Sequence, residues 1–249
     1  MMEKETLGFV DFHTHILPGV DDGAKSLEDA LAMLKSAWEQ GTGTVVLTPH
    51  YRGAFRDNLR RKLEPLYQNL VQEAKAICPG LQLYLGCEVS YERDISEKLA
   101  QGSVLSINGS RYVLLEFQQG VYHSRLLEGV LELLNFGYVP ILAHVERYEV
   151  FYREPDLVEE LVDLGALVQL NADSVLGKMG FGAKRFCHKL MRRHLVHFIG
   201  SDAHNMESRP PELKQCFDKL TKKFGQPYAR LLLCENALAV LEDRETIEG

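Results

Sequence analysis

Seven short apolar runs recur along the 249-residue chain, and longer amphipathic stretches separate them. Each run has the length and composition of a β-strand. The runs cover residues 8–12, 44–47, 81–85, 112–115, 139–142, 166–170 and 195–199. Strands that alternate with helices build a parallel sheet, so this order predicts an α/β fold. Seven units fit either a closed barrel or an open doubly wound sheet, and no G-x-G-x-x-G motif indicates a dinucleotide-binding fold.

The amphipathic stretches carry signals of helix ends. Ser26 and Asp29 have the spacing of a capping box, which predicts a helix that starts at Leu27. Glycines follow several of the other stretches, as they do at helix C-termini. We expect these further helices over residues 59–77, 124–136, 156–164, 183–194, 211–224 and 227–241.

Residues that can bind a metal follow six of the seven runs. In a parallel α/β barrel the carboxyl ends of all strands lie on one face, where the βα loops build the active site. We therefore expect these side chains, with one aspartate from the first loop, to converge, and this placement favours the barrel over the open sheet. They are His13, His15, Asp22, His50, Glu88, Glu116, His144, Asp202 and His204.

The chemistry of this set indicates a metal centre. Imidazole and carboxylate ligands without thiols suit Zn, Mn or Fe(II). Nine groups exceed the needs of one ion, and two or three ions about 3.5–4 Å apart are typical of phosphoester hydrolysis. Arg147 and Arg209 follow candidate ligands closely and can hold phosphate oxygens, although a salt bridge at the barrel rim is the alternative for each.

Charge and composition exclude other classes of protein. Lys and Arg total 28 against 35 Asp and Glu, and the net charge of -7 argues against a sequence-independent nucleic-acid binder. No apolar stretch approaches the roughly 20 residues that cross a bilayer, and the first residues do not resemble a signal peptide. The five cysteines form no Cys-x-x-Cys pair. We expect a cytoplasmic protein without membrane insertion, with residues 1–249 forming one domain.

The sequence around the candidate ligands resembles a known family. The blocks are DFHTHILPGVDDG (11–23), TPHY (48–51), GCE (86–88), LLEF (114–117), AHVERY (143–148) and GSDAH (200–204). They are similar to bacterial manganese-dependent tyrosine-protein phosphatases of the polymerase-and-histidinol-phosphatase (PHP) superfamily, which are associated with capsular and extracellular polysaccharide synthesis. H-x-H and D-x-H are shared with other metallohydrolases, whereas residues 15–23 and the H-x-E-R-Y block are more specific.

The resemblance implies a distorted (β/α)7 barrel with a trinuclear centre at the carboxyl ends of the strands. The implied ligand sets are His13, His15, Glu88 and Asp202 for one ion, Glu88, Glu116 and His144 for the second, and Asp22, His50 and His204 for the third. Asp21 is adjacent to Asp22 and could replace it. Mn²⁺ is the expected ion, with Fe or Zn as alternatives. Arg147 and Arg209 match phosphate-contacting arginines of the family.

The resemblance also implies a reaction, the hydrolysis of phosphotyrosine by a metal-activated hydroxide. The implied substrate is a phosphotyrosine protein, in particular the tail of an autophosphorylated bacterial tyrosine kinase. A cysteine-dependent phosphatase is one alternative, because Cys87–Arg93 and Cys187–Arg193 have the C-x5-R spacing. A metallohydrolase of the PHP or amidohydrolase type that acts on a small phosphoester or an amide is another. The third is a non-enzymatic scaffold that binds a phosphorylated kinase.

Overall fold

The computed structural model describes residues 8–51 and 59–247, and nine strands lie within these ranges. They are β1 (Phe9–Thr14), β2 (Thr42–Leu47), β3 (His50–Tyr51), β4 (Gln82–Leu85), β5 (Glu88–Ser90), β6 (Tyr112–Glu116), β7 (Val139–Leu142), β8 (Leu167–Asn171) and β9 (Phe198–Gly200). The strand order is β1-β2-β4 in one sheet and β3-β5-β6-β7-β8-β9 in the other. Every pairing is parallel, as the alternation of strands and helices predicts.

Two strand positions are interrupted. Residues 48–49 separate β2 from β3, and residues 86–87 separate β4 from β5. Because β2 pairs with β4 while β3 pairs with β5, each interrupted pair occupies one position in the barrel. Pro49 has no N–H to donate to a neighbouring strand, which accounts for the break after β2. The nine strands therefore fill the seven positions that the sequence predicts.

The ends of the sheet meet at β1 and β9. Thr14 forms an isolated parallel bridge with Ala203, and the His15 amide donates to the Ala203 carbonyl at 2.8 Å. The Asp202 amide donates to the His13 carbonyl at 2.8 Å. These contacts join the last strand to the first, and the fold is a distorted (β/α)7 barrel, which confirms the expected fold class.

Eleven α-helices lie within the described residues. They are α1 (Leu27–Glu39), α2 (Leu59–Ile77), α3 (Ile95–Ala100), α4 (His123–Asn135), α5 (Glu149–Arg153), α6 (Asp156–Asp163), α7 (Ala172–Leu176), α8 (Phe181–Arg192), α9 (Lys214–Phe224), α10 (Gln226–Arg230) and α11 (Asn236–Leu241). The predicted capping box of α1 is present, with Asp29 N donating to Ser26 Oγ and Ser26 N donating to Asp29 Oδ2. Within the described ranges, no helix is both long and apolar enough to span a bilayer.

Some predicted helix boundaries are wrong. The helix expected from residue 211 begins at Lys214, because the Glu212 amide donates to the Pro210 carbonyl two residues back, in a turn that is not helical. The helix expected over residues 227–241 contains a π-helical segment, Leu231–Glu235, between α10 and α11. The short helices α3, α5 and α7 carry no pattern long enough to detect in the sequence.

Two clusters of buried side chains stabilise the barrel. The larger one lies mainly between the strands and the surrounding helices. In the smaller one, the rings of Phe12 and Phe198 stack at 4.8 Å, and Ala237 and Val240 of α11 belong to the same cluster. The C-terminal helix is thus fixed against strands from both ends of the sheet, which supports the contact between β1 and β9 beside the candidate site.

Candidate metal centre

Eight of the nine sequence-predicted ligands lie at the carboxyl ends of strand positions in the barrel, and Asp22 lies in the loop after β1. His13 and His15 are at the end of β1, His50 begins β3, and Glu88 begins β5. Glu116 ends β6, His144 follows β7, and Asp202 and His204 follow β9. The structure brings all nine together on one face of the barrel, as the barrel prediction requires.

Backbone conformation directs two of these side chains. His144 has φ of 35° and Asp202 has φ of 54°, so both adopt the left-handed region that non-glycine residues rarely occupy. Such a conformation costs about 1–2 kcal/mol per residue. It turns the chain sharply where β7 and β9 end, and the strain is located where the side chains enter the centre.

Glu88 is the hub of the centre. Its side chain is fully buried, and Oε2 lies 3.3 Å from His13 Nε2 and 3.2 Å from His15 Nε2. The same oxygen lies 2.8 Å from His50 Nδ1, and Oε1 lies 2.7 Å from His144 Nε2. A carboxylate surrounded by four imidazoles has the position of a bridging ligand.

The spacing around His13 and His15 matches a coordination shell. Their Nε2 atoms are 3.2 Å apart. Asp202 Oδ1 lies 3.5 Å from His13 Nε2 and 3.3 Å from His15 Nε2. Ligand atoms about 2.1 Å from a common ion lie about 3.0–3.4 Å from one another. These distances, with those to Glu88, fit one ion held by four side chains.

A second group surrounds the loop after β1. Asp22 Oδ1 lies 3.4 Å from His50 Nε2 and 3.6 Å from His204 Nε2. The ligand atoms of His15, Asp22, His50 and His204 all lie within 4.8 Å of one another. A third group joins His50, Glu88 and Glu116, with His50 Nδ1 3.4 Å from Glu116 Oε1.

The loop after β1 distinguishes Asp21 from Asp22. Asp21 Oδ2 lies 2.7 Å from His15 Nδ1 and accepts a hydrogen bond from the His50 amide, while Oδ1 accepts from the Gly23 amide. A Cβ at Gly23 would lie 1.9 Å from the His15 carbonyl oxygen, so this tight loop requires glycine. Asp21 therefore orients His15, and Asp22 is the aspartate whose carboxylate lies beside His50 and His204.

Three histidines share one arrangement, in which Nδ1 lies at hydrogen-bond distance from an oxygen and Nε2 faces the centre. The pairs are His13 with Gln169 Oε1 (3.3 Å), His15 with Asp21 Oδ2 (2.7 Å) and His204 with the Asp202 carbonyl (2.9 Å). Nε2 of His204 is buried and has no hydrogen-bond partner among the described residues. A donor at Nδ1 leaves the lone pair of Nε2 available, as in metal-ligating histidines, so these residues fit metal ions.

Two positioning residues on β8 were missed in the sequence. Gln169 Oε1 accepts a hydrogen bond from the His144 amide at 2.7 Å and also contacts His13. Asn171 Nδ2 donates to Asp202 Oδ2 at 2.7 Å, and Gln169 Nε2 donates to Asn171 Oδ1 at 2.9 Å. Their only sequence signal is two polar residues at alternate positions in an apolar strand, which also fits a strand with one polar face.

Charge within the centre is balanced locally. Burial raises the pKa of Glu88, but the neighbouring imidazoles, His13 first, hold it well below its ordinary value. Burial lowers the pKa of His15, but hydrogen bonds to carboxylates, Asp202 first, hold it well above its ordinary value. Burial and the charge on His15 lower the pKa of His204 to about 3. Imidazole ligands must be unprotonated, so ion binding here releases protons.

Both predicted arginines reach the centre. Arg147 Nη2 lies 2.8 Å from Asp202 Oδ2, and Arg209 forms an ion pair with the same oxygen. Both side chains are partly exposed, and Arg147, Glu116 and His144 help to line a cavity of about 850 Å³. The remaining wall includes aromatic side chains, namely Tyr51, Tyr91, Phe117, Tyr122 and Tyr148. The guanidinium groups can therefore meet a phosphate whose organic part lies in this cavity.

The structure argues against a thiolate nucleophile. Cys87 and Cys187 are fully buried, and burial raises the pKa of the Cys87 thiol to about 12 and that of Cys187 well above its ordinary value. Cys187 lies within α8, and Arg193 pairs with Asp156 and Glu159. A reactive cysteine needs a lowered pKa and access to substrate, and neither C-x5-R segment provides them.

Fold and site define a class of protein, the metal-dependent hydrolases built on a parallel α/β barrel. The chain belongs to the capsular polysaccharide synthesis family CpsB/CapC, whose model matches residues 9–242. This finding confirms the resemblance seen in the sequence.

Several relatives that match most of this chain are named as tyrosine-protein phosphatases. The tyrosine-protein phosphatase CpsB of Streptococcus pneumoniae is 34% identical over 240 residues, which cover 94% of this chain and 99% of CpsB. The tyrosine-protein phosphatase YwqE of Bacillus subtilis is 32% identical over 94% of this chain and 92% of its own length. The putative tyrosine-protein phosphatase CapC of Staphylococcus aureus is 37% identical over 84% of this chain and 82% of its own.

Solved structures agree. One from a study of YwqE of Bacillus subtilis and CpsB of Streptococcus pneumoniae, described as metal-dependent tyrosine phosphatases, superimposes with a TM-score of 0.87. It has 31% sequence identity and covers 96% of this chain and 97% of that chain. A lactonase from Listeria monocytogenes, with a TM-score of 0.63 and 11% identity over 97% of this chain and 96% of its own, shares the fold alone.

Proposed function

We propose that this chain is a metal-dependent protein-tyrosine phosphatase whose ions are held by the nine side chains of the candidate centre. The observation that carries the proposal is the convergence of five imidazoles and four carboxylates, with Glu88 in contact with four of the imidazoles, next to two arginines and an aromatic cavity. The function of the relatives supports the same reaction.

The ligand sets that we propose are those that the resemblance implies; the measured groupings overlap with them but place His50, rather than His144, with Glu88 and Glu116. His13, His15, Glu88 and Asp202 would hold one ion, Glu88, Glu116 and His144 a second, and Asp22, His50 and His204 a third. The donor set of nitrogen and carboxylate oxygen suits Mn²⁺, which we propose as the ion, and it also accepts Fe or Zn. Divalent ions at such a centre supply Lewis acidity and lower the pKa of bound water.

The chain's own residues have distinct tasks in this reaction. Arg147 and Arg209 bind the phosphoryl oxygens and stabilise the charge that develops during transfer. Asp202 Oδ2 holds both guanidinium groups at the centre, so substrate need not order them. Gln169 and Asn171 fix the orientation of the ligands on three other strands.

The cavity supports an aromatic phosphoester as substrate. Tyr91 and Phe117 have ring centroids 5.2 Å apart, and Phe117 packs edge-on against Tyr148 at 6.2 Å. Aromatic rings favour such offset and edge-on contacts with a further ring, so a phosphotyrosine side chain fits this wall.

The family assignment supports the finer parts of the proposal. We propose that the phosphotyrosine belongs to the tail of a bacterial tyrosine kinase of polysaccharide synthesis, dephosphorylated in the cytoplasm. We also propose that residues 1–249 act as one domain, because the family model matches residues 9–242 without a break into separate units.

Hydrolysis of a phosphotyrosine peptide tests the proposal. Purified protein is treated with a chelator, its metal content is measured, and Mn²⁺ is then resupplied. We expect activity to disappear with the metal and to return with Mn²⁺. Asp202→Asn should abolish activity, whereas Cys187→Ser, which removes the thiol of a C-x5-R segment, should retain most of it. Full turnover by verified metal-free protein would refute the mechanism.

A further inference from the structure

The exposed sides of α8 and α9 form a strongly basic surface on a chain whose net charge is -7. We call it the α8–α9 basic face, and it consists of Lys184, Arg185, His188, Lys189, Arg192, Lys219, Lys222 and Lys223. Within the part of the chain that the structure describes, none of the eight pairs with a carboxylate. The paired basic residues stand at its edges, where Arg193 contacts Asp156 and Lys214 contacts Asp218.

Like charges are crowded in the middle of this face. Lys223 Nζ lies 2.6 Å from His188 Nδ1, which joins the two helices. Burial together with Lys223, Lys184 and Arg192 lowers the pKa of His188 to about 4, and burial with Arg192 and Lys184 also lowers the pKa of Lys223. At neutral pH His188 is uncharged and accepts a hydrogen bond from Lys223, while the lysines and arginines around it have no carboxylate partner among the described residues, so an external anion that covers them is bound favourably.

Apolar side chains extend one end of the face. Phe181, the first residue of α8, is 80% exposed, and Met179 just before it is 60% exposed. Phe181 precedes Arg185 by four residues and His188 by seven, so the three share one side of the helix. Both apolar residues belong to the segment that follows β8, at the face of the barrel that carries the metal centre.

The chemistry of the face selects among anionic partners. Five of its seven always-charged members are lysines, and lysine is depleted in protein–protein interfaces whereas arginine is enriched. Lysines behave as flexible point charges that suit a diffuse layer of phosphates better than a fixed carboxylate pattern. Exposed aromatic and methionine side chains beside such lysines can insert between lipid headgroups.

We propose that the α8–α9 basic face, with Phe181 and Met179, docks this protein on a bilayer surface rich in anionic phospholipid. The contact is peripheral, with headgroup phosphates on the lysines and the two apolar side chains at the acyl boundary. It places the metal centre beside the membrane surface. The inference does not depend on the reaction that the centre performs.

Vesicle co-sedimentation tests the docking. The full chain is mixed with phosphatidylcholine vesicles, with or without phosphatidylglycerol, at low and at high salt. We expect partitioning that requires phosphatidylglycerol and falls with salt. The variant Arg185→Glu/Lys189→Glu/Lys222→Glu should partition roughly a hundredfold more weakly, since each basic residue near an anionic surface contributes about fivefold. Phe181→Ser should weaken partitioning by about tenfold.

The matched control is Arg60→Glu/Arg61→Glu/Lys75→Glu on the exposed side of α2, which changes the net charge equally. It should partition nearly as the unmodified protein does. Circular dichroism and phosphatase activity without vesicles check that all variants fold. An equal loss in the control, absence of binding to anionic vesicles at low salt, or binding to polyglutamate without binding to vesicles would each overturn the proposal.

Discussion

Gln169 is the residue through which β8 positions candidate metal ligands, although β8 supplies no candidate ligand itself. Its amide oxygen faces both His13 Nδ1 and the His144 amide, so one side chain fixes two ligands from different strands. The side chain is fully buried, and its amide nitrogen donates to the Leu170 carbonyl and to Asn171. Every polar atom of Gln169 is therefore used, which holds the amide in one orientation.

Gln169→Met tests this positioning role. Methionine keeps the length of the side chain but removes the oxygen that accepts from His13 and His144. We expect the affinity for Mn²⁺ to fall by about 10–100-fold, as for other groups that orient metal ligands. Calorimetric titration of the metal-free protein measures this directly. Gln215→Met on the exposed side of α9 is the control, and equal affinities in the two variants would contradict the role.

Arg147→Ala tests the binding of the phosphoryl group. The guanidinium contacts Asp202 at 2.8 Å, and its partial exposure lets it reach a substrate. We expect kcat/KM for a phosphotyrosine peptide to fall by about 10²–10³-fold, the usual cost of removing one donor to a developing charge.

Metal content should stay unchanged in Arg147→Ala, because Asn171 and Arg209 still hold Asp202. Arg153→Ala, an exposed arginine paired with Glu149, serves as the control and should be fully active. Loss of bound metal in step with activity would instead assign Arg147 a structural role.

At the scale of secondary-structure elements, the sequence pattern predicts the features that depend only on residues close together in the chain. The seven strand positions and the capping box of α1 follow from apolar runs and from residue spacing. The break at Gly86 could not be predicted, because it depends on how distant parts of the chain pack. A Cβ at Gly86 would lie 2.8 Å from Ile107 Cδ1, a contact between residues far apart in the chain.

The candidate site shows the same division. Strand ends in a barrel meet, so the convergence of histidines and carboxylates followed from the topology. The different positions of Asp21 and Asp22 did not follow from the topology. The two residues are adjacent in sequence, and the direction of each side chain depends on the turn at Gly23. Gln169 and Asn171 were missed since alternate polar positions in a strand also fit exposure to solvent.

His197 gives the pairing of β8 and β9 a pH dependence. Its Nδ1 accepts a hydrogen bond from the Val168 amide at 3.1 Å, and burial lowers its pKa from 6.5 to about 4. In the unfolded chain His197 is protonated below about pH 6.5, whereas in the folded protein it is protonated only below about pH 4. The free energy of unfolding therefore falls as the pH drops through this window, by about 3 kcal/mol in full and about 2 kcal/mol at about pH 5.

His197→Asn keeps an acceptor for the Val168 amide but removes the titration. Denaturant unfolding is measured near neutrality and near pH 5. The decrease in the free energy of unfolding between these two pH values should be about 2 kcal/mol smaller in this variant than in the unmodified protein. His194→Asn, in the exposed turn before β9, should keep the original pH profile. Parallel pH profiles of the His197 variant and the unmodified protein would contradict the assignment.

At the scale of the whole molecule, the metal centre joins most of the barrel. Its candidate ligands come from six of the seven strand positions, and β8 takes part through Gln169 and Asn171. The contact between β1 and β9 lies directly beside it, through Ala203 and Asp202. We therefore expect ions at this centre to stabilise the folded barrel.

Thermal unfolding with and without Mn²⁺ measures this coupling. Ions present at about 100 times their Kd increase the free energy of unfolding by about 2.7 kcal/mol for each site. This corresponds to a rise of about 5–10 °C in Tm for a chain of this size. Removal of the ions by a chelator should reverse the increase. Glu88→Gln, which removes the charge shared by four imidazoles, should lose most of it, while Glu154→Gln on the surface should keep it. If calorimetry shows that ions bind but Tm stays constant, the unfolded chain binds them equally well and the centre does not stabilise the barrel.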